Sequence, residues 1–143
     1  MKIQTKRLGA VLATAMAAVG ITTAVTAPAQ AAGTATYYAV AYDPTYPSLK
    51  IADALFTSSN DTFNVWDDML DGHGTVLHIN LSDDAGATYH RWKNLYIDTD
   101  LAYEDWNFDD EFSEGRYFAF RVCRQDGINQ EAYHCGDWVK GTA

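Results

Sequence analysis

The chain is short of several residue types, and each shortage narrows what it can be. Only two of its 143 residues are cysteine, so at most one intrachain disulfide can exist. Only three are proline, and two of these, Pro44 and Pro47, interrupt the chain together. Basic residues number 10 against 19 acidic ones. Neither H-E-x-x-H nor G-x-S-x-G occurs, so zinc-protease and serine-hydrolase chemistry have no local signature. Residues 32–143 contain no internal repeat and no low-complexity tract. The one long apolar, uncharged run, Leu8 to Val25, lies at the start.

That run reads as export. Lys2, Lys6 and Arg7 precede it, and Ala29-Gln30-Ala31 follows with the small-x-small pattern that signal peptidase accepts. The expected cut falls between Ala31 and Ala32, giving a signal peptide over 1–31 and a single secreted domain over 32–143, with no stable membrane anchor after cleavage. The three basic residues named lie in the leader, so the remaining 112 residues carry seven basic groups against all 19 acidic ones, a balance of −12. Such a surface repels nucleic acid and anionic membranes. All 19 aromatic residues (nine Tyr, six Phe, four Trp) also fall in this part, a core-forming content that disordered chains lack.

The periodicity is that of strands. Thr34 to Tyr42, Thr62 to Asp67, Thr75 to Leu81 and Arg116 to Cys123 alternate between two faces. Turn chemistry at Ser58-Ser59-Asn60-Asp61, Asp71-Gly72-His73-Gly74, Ser82-Asp83-Asp84-Ala85-Gly86 and Asp126-Gly127 punctuates them. Ala87 to Trp92 is the expected hairpin partner of Thr75 to Leu81. A strand near Tyr103 to Phe108 follows a loop, and Tyr133 to Lys140 resumes an extended pattern. Leu49 to Thr57 fits a short helix face as well as a strand. The expected fold is all-β, an antiparallel β-sandwich of about seven strands. Cys123 and Cys135 flank the last turn. In an exported protein two cysteines are most simply one structural disulfide, here tying a C-terminal hairpin through a 13-residue loop worth about 3 kcal/mol.

Four constellations compete for a function. Asp98, Asp100, Asp109 and Asp110 are an oxygen-rich set that could hold Ca²⁺, against a reading as solvated acidic surface. The loop from Asp67 fits a calcium-hand spacing at Asp71 and Gly72 but fails at Met69 and His78, where oxygen ligands are needed. Carboxylates of the Asp98 to Glu111 segment could form a hydrolase pair, a reading that spacing alone does not support. His78 and His90, on the two arms of a hairpin, could meet around Zn²⁺. Finally Trp92, Tyr96, Tyr103 and Trp106 flank or lie within the acidic segment and could offer rings to a ligand, against a reading as core.

Val65-Trp66-Asp67 with Asp71-Gly72, then Phe120-Arg121-Val122-Cys123 with Cys135-Gly136-Asp137-Trp138-Val139, resemble segments of small secreted β-sandwich proteins of actinobacteria. The likeness covers about Thr62 to Lys140. It implies fold and export and supplies no activity; the stretch from Asp98 to Phe112 departs from the pattern. Together these readings favour a secreted, non-enzymatic, extracellular binding protein with a protein or glycan partner. The alternatives are a small carboxylate-dependent hydrolase and a ligand-free structural or cell-surface component.

Overall fold

Eight strands, β1 (Thr36–Tyr42), β2 (Lys50–Thr57), β3 (Thr62–Asp67), β4 (Gly74–Leu81), β5 (His90–Ile97), β6 (Tyr103–Asn107), β7 (Tyr117–Gln125) and β8 (Val139–Thr142), make up the regular structure. The computed structural model describes residues 34–98 and 100–143, with no helix among them. The leader and its cleavage point between Ala31 and Ala32 lie outside the described residues, as does Thr99. All pairings are antiparallel. One sheet has the order β1-β2-β3-β6 and the other β5-β4-β7-β8. The expected all-β sandwich is therefore present, with eight strands instead of about seven.

The segment open to two readings, Leu49 to Thr57, is a strand. Its small Ala52 and Ala54 and its Phe56 are buried in register with Asp67, Val65 and Phe63 of β3, so the alternation serves a two-layer core. In the other sheet Leu77, Ile79 and Leu81 of β4 lie opposite Val122, Phe120 and Phe118 of β7. Between the layers Phe56, Phe63, Phe118 and Phe120 interlock, with centroids 4.4 Å apart for Phe56–Phe118 and 5.1 Å for Phe63–Phe120. Each fully buried ring contributes roughly 2–3 kcal/mol of hydrophobic stabilisation.

Two expectations shift along the chain. The partner of β4 begins at His90 and not at Ala87. Asp84 holds the intervening turn, accepting from the Thr88 backbone at 2.8 Å, the Thr88 hydroxyl at 2.6 Å and the Ser82 hydroxyl at 2.6 Å. Those bonds keep the Asp84 carboxyl well below the usual range. Likewise β8 starts at Val139. Ahead of it, Tyr133 bridges Arg124 in both directions at 2.9 Å and the Gly136 amide donates to the Val122 carbonyl at 2.9 Å. Gly136 is required there, since any Cβ would collide with the Val40 carbonyl of the facing sheet's edge.

Candidate functional site: a cationic recess on the outer face of the second sheet

Alternation puts one set of side chains on the outer face of the β5-β4-β7-β8 sheet, and the register arranges them in rows. Arg91 lies opposite Asn80, which lies opposite Ala119. Asn94 lies opposite His78, which lies opposite Arg121. Tyr96 lies opposite Val76, which lies opposite Cys123. The connection from β7 to β8, residues 126–138, folds over part of this face. Cys123 and Cys135 are disulfide-bonded with Cα atoms 4.0 Å apart, which pins the connection to the sheet. Gln125 donates to the Gly127 carbonyl at 2.7 Å, and Tyr133 donates to Asp126 at 2.7 Å.

Between sheet and connection is a recess of about 440 Å³, with His78, Asn80, Arg91, Asn94, Arg121 and Trp138 among its lining residues. Glu131 is its one acidic lining residue. Beside it a second recess of about 390 Å³ shares Arg91, Asn94, Gln125 and Gln130 with the first and adds Tyr96 and Asn129. The two form one polar trough.

The electrostatics of this face differ from the rest of the domain. Lys50 pairs with Asp53 and Asp68, Lys93 with Glu111, Arg116 with Asp83, and Arg124 with Asp71. Among the described residues, Arg91, Arg121 and Lys140 make no ion pair; Lys140 lies over the Tyr89 ring, and the two arginines line the recess. Trp138 holds Arg121 in place: its ring lies 4.6 Å from the guanidinium carbon and stacks on the His78 ring at 6.5 Å. The Arg121 Nε–H donates to His78 Nδ1 at 3.4 Å. Burial, then the charges of Arg121 and Arg91, push the His78 pKa down to about 4. His78 is therefore a neutral ring at pH 7, its Nδ1 acting as acceptor, and the positive charge of the recess comes from guanidinium groups alone.

The residues expected to act are placed elsewhere. Trp92 packs inward against Phe108 and Phe112, 5.2 Å from each. Trp106 is partly buried against the core. Tyr103 faces outward from the other sheet, 51% exposed and 5.2 Å from Trp66. Tyr96 alone reaches the trough. The four form no common surface because β5 and β6 belong to different sheets. Asp98 and Asp100 precede β6 while Asp109 and Asp110 follow it, and β6 spans about 13 Å at 3.3 Å per residue. The four acids are thus not brought to one Ca²⁺ site, and no three His, Cys, Asp or Glu side chains converge for a metal among the described residues. Their oxygens serve locally. Asp98 accepts from Tyr96 at 3.0 Å, Asp100 from the Gly72 amide at 2.8 Å, and Asp71 is occupied by Arg124. His78 and His90 do not meet either: Asn94 is opposite His78 and Leu81 opposite His90, whose Nε2 lies 3.7 Å from Asp83.

Arg91 belongs to no binding motif, and Arg121 is prominent only within Phe120-Arg121-Val122-Cys123, where it carries no binding role. The available signal was polar residues at outward positions of the two central strands: His78 and Asn80 between Leu77, Ile79 and Leu81, and Arg121 between Phe120 and Val122. No family model, curated protein or solved structure matches the chain.

Proposed function

We propose that the protein is an exported, non-enzymatic binding protein that holds an anionic ligand in the trough on the outer face of the β5-β4-β7-β8 sheet. The observation that carries this reading is the convergence of two unpaired guanidinium groups in one concave site of a domain with a net charge of −12. An acidic chain has carboxylates to spare for every cation, and here four of the seven basic residues of 32–143 are paired. Two cations left open in the same recess are a ready-made partner for a carboxylate or sulfate, which arginine grips with two parallel N–H groups. Export is supported by the leader-like sequence of 1–31 and by a structural disulfide, which persists in oxidising surroundings.

Titration of the disulfide-intact protein with sodium sulfate and sodium galacturonate, against sodium chloride at matched ionic strength, tests the reading. Both anions are expected to shift the Trp138 indole N–H and His78 ring resonances in two-dimensional NMR spectra, and the double variant R91Q/R121Q to abolish the shifts. Spectra unmoved by either anion beyond the chloride control would overturn it.

A further inference from the structure

The trough is longer than a single small anion needs. Its two recesses lie side by side on one strand, Val76 lining one, His78 and Asn80 the other, and from Val76 to Asn80 β4 covers about 13 Å. Arg91 belongs to both recesses and Arg121 to the first only. Side-chain amides make up most of the remaining polar lining: Asn80, Asn94, Gln125 and Gln130. Each amide offers donors and an acceptor together, which is what neighbouring hydroxyl groups require. Trp138 and Tyr96 place an aromatic ring in each compartment.

We infer, on the basis of the binding reading above, that the ligand is an acidic oligosaccharide, a short chain of carboxylate-bearing sugars spanning both recesses. Arg121 takes one carboxylate, Arg91 a second where the recesses meet, and the amides take ring hydroxyls. A peptide is the poorer fit. Extended peptides dock by adding to a sheet edge or by seating apolar side chains in pockets. This trough lies over a sheet face whose central strands β4 and β7 are paired on both sides, and its apolar lining is limited to Val76, Ile128, Ala132 and part of Trp138. A nucleic-acid strand carries a phosphate at every residue and is repelled by the net charge of the domain.

The test compares affinities of the disulfide-intact protein for galacturonate, trigalacturonate, maltotriose and triglutamate at constant ionic strength. Occupying a second compartment through a linked sugar makes its binding intramolecular, so trigalacturonate should bind at least roughly tenfold more tightly than galacturonate. Its binding should move Tyr96 ring resonances that the monomer leaves in place. Arg91→Gln should remove most of that gain, weakening the trimer by a larger factor than the monomer. Equal affinity for monomer and trimer would overturn the oligosaccharide inference and leave the binding reading standing. Maltotriose binding as tightly as trigalacturonate would show that carboxylates are not recognised and overturn it too. Triglutamate binding as tightly would overturn the assignment to a saccharide. Failure of every anion, sulfate included, would remove both readings.

Discussion

The two outer faces of the sandwich carry similar residues and treat them in opposite ways. On the β1-β2-β3-β6 face the strand cation, Lys50, is paired. Lys50 Nζ lies 3.2 Å from both Asp53 and Asp68, and the Tyr38 hydroxyl donates to Asp53 at 2.5 Å. Trp66 packs on Tyr103, whose hydroxyl accepts from Asn64 at 2.8 Å. Burial and then the bond to Asp53 push the Tyr38 pKa up to about 12. On the β5-β4-β7-β8 face, two arginines beside a neutral histidine make no ion pair beneath a disulfide-pinned connection. Where acids are abundant, a paired cation stabilises the fold, and an unpaired one is available to something else.

The strongest way to break this contrast is to release the connection. Replacing Cys123 and Cys135 by Ser should cost about 3 kcal/mol in urea unfolding, because a 13-residue closure is lost from the unfolded chain. It should also weaken anion binding, since Gln130, Ala132 and Trp138 line the recess from the segment so released. A double Ser variant with full anion affinity would show that the sheet face alone forms the site.

Next in size is the face with the paired cation. Lys50→Met removes the cation shared by Asp53 and Asp68, whose side chains are 8% and 26% exposed. The expected loss is about 2 kcal/mol, less than a fully buried pair would give because Lys50 is partly solvated. The sign of its pH dependence is fixed. Burial, followed by the adjoining Asp53 carboxyl, already raises Asp68 above its ordinary value, and removing Lys50 raises it further. A carboxyl whose folded pKa is raised binds its proton more readily folded than unfolded, so the variant should regain stability as pH falls toward 4. A loss that does not shrink on acidification would mean that the ion pairs are not its source.

A third, smaller effect separates the faces by pH. The folded His78 pKa of about 4 lies below the ordinary 6.5, so the unfolded chain takes up a proton between these values and the folded chain resists it. Its contribution is present above pH 6.5 and lost as pH falls from 6.5 to 4. Solvent screening of this half-buried ring reduces the effect to about 1 kcal/mol. His78→Gln should remove that component, so the difference in urea stability between wild type and variant should change by this amount between pH 7 and pH 4. A difference independent of pH would contradict the low pKa.

How much of this was legible beforehand follows from which interactions are local. The strands β1, β3, β4 and β7, the turns between them and the Cys123–Cys135 bond follow from residues within a few positions of one another, through alternation, turn chemistry and cysteine number. The Lys50–Thr57 strand required the core, because Ala52, Ala54 and Phe56 identify a buried face only once Phe63 and Val65 lie beside them. The site required more. Arg91 and Arg121 are 30 positions apart and meet only through their common neighbour β4. The acidic-aromatic stretch misled for the mirror-image reason. Closeness in sequence between Trp92, Tyr96, Tyr103 and Trp106 is undone where the chain crosses from one sheet to the other between β5 and β6.

The smallest stability change is expected at Arg121, and it bears most directly on the contrast. Arg121→Gln removes the contact with Trp138, worth roughly 0.5–1 kcal/mol at an exposed site. It also relieves the proximity of Arg121 to Arg91 and frees His78 from one of the charges that depress it. These terms oppose each other, and no carboxylate is stranded, so the net change should stay within about 0.5 kcal/mol, against about 2 kcal/mol for Lys50→Met. Without Arg121, the His78 pKa should rise from about 4 toward the ordinary 6.5, held down only by burial and Arg91, as read from the pH dependence of its ring-proton NMR shifts. Anion binding should weaken at the same time. A variant that lost 2 kcal/mol or more would mean that Arg121 has a structural partner after all, and the open charge on this face would then be part of the scaffold. A small loss combined with a raised His78 pKa and weakened anion binding would place the function of Arg121 outside the fold, in what the recess holds.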